Sequence, residues 1–338
     1  MKLTIRSAVV LTLILCALFL LLAEYTKIKE QYVPLNIGKP HYTLAEANAV
    51  RTIARSRASA SIDPAFSKSS PAHVLIYPKQ SGRGLKITMA QYPAPYPVQK
   101  GGSCMGHALG QLLRYTSWRY KCSSRAQCLS WDPPRPCPYF LANVGQCGPY
   151  TSIKDGNIKQ YCLKDGEGVV WSTPYETLAG IQKVGYVYKG DWKVNGRDIA
   201  EKERPFRHFP NKDVFAKASK NRPNYRIVVL NSIDKDQYRN GAEFYNVLLS
   251  GHAIFCAIDI GPTLVCERQT IAGWNVDVIK HDDNYTALHA IMLIGAIYDG
   301  NTLYFQIQNS WGKGYDHVYI SIDELRKRRG FGITLVWT

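Results

Sequence analysis

Gln306-Ile307-Gln308-Asn309-Ser310-Trp311-Gly312 closes a strand-like run that starts at Leu303. In it a neutral amide, Asn309, is followed by a large aromatic, Trp311, able to shield a hydrogen bond of that amide from water. Such an amide is suited to orient an imidazole, and one stands upstream. His289 precedes the apolar run Ala290-Ile291-Met292-Leu293-Ile294-Gly295-Ala296-Ile297, and one Asp299-Gly300-Asn301 turn separates that run from Leu303. Two such runs joined by a tight turn read as an antiparallel hairpin, which brings residue 289 near residue 309.

A third residue completes the set. From Tyr92 to Gly102 the chain is extended and Pro-rich (YPAPYPVQKGG); at Ser103 it passes into a helical pattern with Met105, Ala108, Leu109, Leu112 and Leu113 on one face. The helix is therefore expected to begin at or next to Cys104. Unpaired N–H groups and the helix dipole there favour a thiolate. A nucleophilic thiolate needs an imidazole to pair with it and later protonate the leaving amine, and the imidazole needs a partner to fix its tautomer. Cys104, His289 and Asn309 fit these roles. His107, one turn into the helix, and His252, after Ser250-Gly251 at a helix end, read as structural. His281 with Asp282 and Asp283 reads as a solvated polar loop. No Cys-x-x-Cys pair occurs, and neither a metal nor a cofactor is called for.

At this point the sequence resembles the papain-like cysteine peptidases (C1-type). Three stretches carry the resemblance: Val98-Gln99-Lys100-Gly101-Gly102-Ser103-Cys104 with the helix after it, Leu288-His289-Ala290 leading into a strand, and the Asn309-Ser310-Trp311-Gly312 element, which is the most specific. Weaker similarity lies in Gly166-Glu167-Gly168, which looks like the glycine-rich rim of a substrate cleft, and in the helix-like Ala242 to Gly251. The resemblance covers about residues 90 to 325. It implies an α+β fold of two lobes, a helical N-terminal lobe and an antiparallel, β-barrel-like C-terminal lobe, with the active-site cleft between them. It also implies that Cys104 attacks a peptide carbonyl, that His289 shuttles the proton, that Asn309 orients His289 and that Trp311 covers that contact. Gln99 would complete an oxyanion hole with the Cys104 N–H, although it stands one residue closer to the nucleophile than is usual in the family. Met105 after the nucleophile and the interrupted glycine pair at 166 and 168 are further departures. Two alternatives are a catalytically silent relative that binds peptides or a partner in the same cleft, and another Cys-His acyl transferase, such as a cell-wall amidase or a transglutaminase-like enzyme. The latter families lack the Asn-Ser-Trp-Gly element.

The rest of the chain sets the context. Lys2 and Arg6 precede an apolar run from Ala8 to Ala23, so residues 1–24 read as a signal peptide or signal anchor. The domain that follows is expected outside the cytosol, either exported or tethered to a membrane. Residues 25–84 read as a propeptide or linker with one helix from Thr43 to Ser59, and 85–338 as the peptidase domain. Another helix is expected from Thr173 to Val184, and strands at Tyr225–Leu230, Ala253–Ile258 and Val318–Ile322. The stretch Lys189 to Tyr225 reads as a polar crossover. Five cysteines, Cys122, Cys128, Cys137, Cys147 and Cys162, crowd into one segment, a disulfide framework for an exported chain; Cys256 and Cys266 could pair with each other. The formal charge of +16 favours anionic partners, but the basic runs Arg51 to Arg57 and Arg326 to Arg329 are short and lack interleaved aromatics, so nucleic acid is not an expected partner. Protein or peptide substrates are.

Overall fold

The computed structural model describes residues 74–78, 84–89, 98–100, 102–121, 133–147, 152–154, 157–159, 174–202, 208–230, 241–261, 264–312 and 317–337. The N-terminal apolar segment, the helix expected at Thr43 to Ser59, Gly166, Gly168, Cys122, Cys128 and Cys162, and the side chain of Cys147 lie outside the described residues. Among those residues no helix is long and apolar enough to cross a membrane.

The elements run β1 (Val74–Pro78), β2 (Leu85–Met89), α1 (Cys104–Lys121), α2 (Pro138–Cys147), β3 (Ser152–Lys154), β4 (Asn157–Lys159), α3 (Pro174–Val184), β5 (Lys193–Val194) and β6 (Arg197–Asp198). They continue with α4 (Lys212–Ala218), β7 (Tyr225–Leu230), α5 (Ala242–Leu249), β8 (Ile254–Ile260), β9 (Cys266–Ile271), β10 (Trp274–Ile279), β11 (Ala287–Tyr298), β12 (Leu303–Gln308), β13 (Tyr319–Ser321), α6 (Ile322–Lys327) and β14 (Phe331–Trp337). The three longest helices, α1 to α3, thus come first, and every strand of six residues or more follows them.

One sheet is ordered β7-β14-β8-β11-β12-β13-β10-β9, with β2 also paired to β11 and β1 to β2. Its pairings are antiparallel except β10 with β13. β11 is its centre. Every residue of it but the last is buried, as expected of a continuous apolar run covered on both faces. Its first half pairs with β8, its second half with β2, and β12 flanks it on the other side. The β8 pairing carries the strand back to Ala287, so His289 lies inside β11 and not before it, as the apolar run alone suggested.

α1 lies against β11 and α2. Gly106 allows the second contact: a Cβ there would stand 1.9 Å from the carbonyl oxygen of Pro138, the first residue of α2. The apolar core joins Leu109 and Leu112 of α1, Phe140 and Leu141 of α2 and Leu178 and Ile181 of α3 to Phe255, Leu293 and Ile333 of the sheet. A smaller cluster of Ile271, Val276, Val278, Ile297 and Tyr319 lies beneath the β9–β10 hairpin.

Several expectations meet the structure directly. The Lys189 to Tyr225 stretch carries β5, β6 and α4, the last capped by Asn211, whose side chain accepts from the Val214 N–H. The hairpin of β1 and β2 straddles the boundary expected at residue 84. Cys256 and Cys266 do not pair. Both are free thiols, on strands β8 and β9, which are not neighbours in the sheet. Cys137 of the crowded segment is likewise a free, buried thiol.

Candidate functional site

The geometry of the site follows from strand register. On the last paired rungs of β11 and β12, Met292 faces Gln308 and Leu293 faces Ile307. Continued past the end of β12, that register sets Trp311 opposite His289 and Asn309 on the neighbouring diagonal. The side chains meet accordingly. His289 Nε2 lies 2.8 Å from Asn309 Oδ1, and the Trp311 ring is stacked on the imidazole with centroids 4.4 Å apart and planes at 30°.

Two donors fix the assignment of these atoms. Asn309 Oδ1 also accepts the Ser310 backbone N–H at 2.7 Å, so the atom there is the amide oxygen. An oxygen can only accept, so His289 donates through Nε2, which leaves Nδ1 as the nitrogen for proton transfer in the neutral ring. Trp311 and the core exclude water from this contact; Asn309 and His289 are both buried.

Cys104 is the first residue of α1. The Ser103 carbonyl accepts the His107 backbone N–H at 3.0 Å, closing the first turn, and that turn contains no acidic residue. A thiolate here meets the positive end of an eighteen-residue helix with no competing carboxylate. Other thiols sit in the opposite environment. Burial pushes Cys137 up to about 12 and Cys256 well above the ordinary thiol range, and it also raises Cys266.

Gln99 is buried beside the same turn despite its unusual spacing. Its N–H donates to the Ser310 carbonyl at 2.9 Å, and its Oε1 accepts a short hydrogen bond from Ser310 Oγ. With the carbonyl end anchored, the Nε2 end is the donor. Gly312 makes the approach possible: it holds φ at +89°, and a Cβ on it would stand 2.6 Å from Val98 Cγ2. Ser310 therefore joins Gln99 to Asn309. Sequence reasoning gave it no role.

Three other described histidines make contacts of their own. His107 is buried on α1, its Nδ1 2.9 Å from the Ser103 carbonyl and its ring edge-on to Tyr139; burial lowers it to about 4. His252 follows α5, against Tyr120. His281 is exposed in a polar loop, as expected, and there its Nδ1 lies 2.8 Å from Glu324 and its Nε2 2.9 Å from Asp283. Glu324 in turn bonds the buried Arg328 at 2.6 Å. Among the described residues no group of three or more His, Cys, Asp or Glu could hold a metal ion.

No family model and no curated protein matches the chain. Among solved structures, xylellain, a cysteine protease from Xylella fastidiosa, superposes with a TM-score of 0.50 at 13% identity, covering 84% of this chain and 92% of that one. A structure concerning the mite allergens Blo t 1 and Der p 1 gives 0.48 at 13% identity over 85% and 77% of the two chains. ProCathepsin B from Trypanosoma congolense gives 0.47 at 10% over 86% and 88%. The latter two scores add no weight. The likeness to xylellain concerns the fold alone: a mixed helix-and-sheet, papain-like architecture.

Proposed function

We propose that this chain is a cysteine peptidase that cleaves peptide bonds by acyl transfer to Cys104, with His289 as general base and acid and Asn309 as its orienter. The observation that carries the proposal is the buried contact of His289 Nε2 with Asn309 Oδ1 beneath Trp311. An imidazole locked in one tautomer, on the strand against which the Cys104 helix packs, is an arrangement with a clear chemical use.

In this reading the Cys104 thiolate attacks the peptide carbonyl carbon, forming a C–S bond and an oxyanion. The Gln99 side-chain N–H and the Cys104 backbone N–H donate to that oxyanion. Imidazolium His289 gives its Nδ1 proton to the amide nitrogen as the C–N bond breaks, and the amine leaves. Water then attacks the thioester, giving its proton to His289, and the acid and the thiolate separate. Every step runs through groups of this chain and water.

The same reading extends to the layout. Residues 1–24 would direct the chain out of the cytosol or anchor it in a membrane, and 25–84 would be a propeptide or linker. The domain from 85 onward, with β1 attached to its sheet, would form two lobes around a cleft rimmed by Gly166 and Gly168, the second lobe closing towards a barrel. Substrates would be proteins or peptides. Disulfides would form among the crowded cysteines, Cys137 excepted.

A second reading, a silent protein that binds peptides in the same cleft, is favoured by one observation: Cys104 and His289 are both 0% exposed. One experiment separates the two. The chain without residues 1–24 is treated with an epoxide or vinyl-sulfone thiol-protease probe and analysed by mass spectrometry beside Cys104→Ala and His289→Ala. Stoichiometric labelling at Cys104 that requires His289 is the expected result. No labelling of a folded, reduced protein would favour the silent reading.

A further inference from the structure

Where α1 lies on the hairpin of β11 and β12, a cavity of about 10 Å³ opens beside Asn309. Its walls include His107 and Gln111, one helical turn apart on α1, and Met292 with its cross-strand partner Gln308. Asn309 and Ser310 continue the sheet-side wall. Gln308 is 4% exposed, and neither Oε1 nor Nε2 of its carboxamide has a hydrogen-bond partner among the described residues; nor has Asn309 Nδ2. Buried amides are almost always satisfied by protein or by ordered water.

Size and chemistry point the same way. The volume is that of a single water, and a buried water asks for two to four polar partners. The Gln308 carboxamide offers a donor and an acceptor. His107 donates through Nδ1 to Ser103 O, which makes its Nε2 an acceptor, and Gln111 adds a second carboxamide whose oxygen takes Arg114 Nη1 at 2.8 Å. No carboxylate lines the space, so a cation is not the fitting occupant.

We propose that this cavity binds one ordered water, held by the Gln308 carboxamide and shared with His107, and that Gln308 is a positioning residue for Asn309, the next residue in the chain. The bridge ties the helix that begins with Cys104 to the turn that holds the orienting amide. The water site stands on geometry alone; the positioning role rests on the proposed peptidase reading.

The test is a crystal structure at about 1.5 Å or better of the chain without residues 1–24, and of its Gln308→Met variant, which keeps the side-chain volume and removes the polar atoms. Epoxide labelling rates across pH are measured on both. Expected are a solvent peak within hydrogen-bond distance of Gln308 in the parent, its loss in the variant, and labelling about ten-fold slower with a displaced pH profile. Should Gln308→Met not fold, Gln308→Leu takes its place. Parent density in which Gln308 bonds directly to protein, with no solvent peak, overturns the water site. An unchanged rate and profile in the variant overturns the positioning role. A parent that crystallises with the solvent peak yet is never labelled supports the water site while overturning the peptidase reading and the positioning role that depends on it.

Discussion

At the scale of single residues, Asn309 and Gln99 are held by the same neighbour yet serve different steps in the proposed mechanism, so their loss is expected to look different. Asn309→Ala removes the acceptor that fixes the tautomer of His289. Proton transfer by a positioned group contributes about 10²–10⁴-fold, so labelling of Cys104 by an epoxide and peptide turnover should both fall within that range. Under the same proposal Gln99→Ala removes a donor to an oxyanion that forms only on a carbonyl substrate. Turnover should fall by about 10²–10³ while the epoxide rate, which needs no oxyanion, changes little. Steady-state kinetics beside probe kinetics check both. An equal loss in both assays for Gln99→Ala would show that it acts through Ser310 and Asn309 instead. Residue types and spacing made Cys104, His289 and Asn309 legible as candidates in the sequence, because each proposed role demands a particular side chain. Ser310 was not legible: a serine hydroxyl acquires its task only when folding brings residue 99 to residue 310.

At the scale of elements, the helix α1 and the strands β7 and β12 were readable because their apolar residues repeat at helical or strand period and end at clear punctuation. The hairpin of β9 and β10 was not. Its outer strand, Cys266-Glu267-Arg268-Gln269-Thr270-Ile271, is polar and partly exposed, and its two-residue loop is Ala272-Gly273, not the usual Asn-Gly. Both loop residues take positive φ, +49° at Ala272 and +87° at Gly273, as a type I′ turn requires. Alanine is poorly suited to that conformation. Ala272→Asn is therefore expected to raise stability by about 0.5–1 kcal/mol, read from the shift of the denaturation midpoint. Gly106→Ala should act in the opposite sense. Its methyl would overlap the Pro138 carbonyl and force α1 and α2 apart, at a cost of about 1–3 kcal/mol with a slower labelling rate as the start of α1 shifts.

For the whole molecule, stability and association depend on charge. His107 titrates near 4 in the folded chain because it is buried, against an ordinary value of 6.5. Above about 6.5 neither folded nor unfolded chain protonates this residue; between about 6.5 and 4 only the unfolded chain does. Stability should therefore fall as pH is lowered through that window, by up to roughly 3 kcal/mol, and then level off. Chemical denaturation at several pH values checks this, and His107→Gln should flatten the slope. The formal charge of +16 predicts that acidic peptides reach the site faster than neutral ones of the same length. Their advantage in kcat/KM should shrink as salt rises past about 0.1 M, where the screening length is about 10 Å. A salt-independent ratio would mean that the charge lies away from the path of approach.

One consequence concerns β1. Among the described residues its five residues pair only with β2, and β2 is the strand that backs the second half of β11. A chain trimmed before Val74 keeps this arrangement; a chain trimmed after Pro78 and freed of the released piece presents β2 as a bare edge of unpaired N–H and C=O groups. Such an edge is a template for another strand, including the β2 of a second copy. If the N-terminal region is cut, the place of the cut thus governs whether the trimmed chain stays single or self-associates.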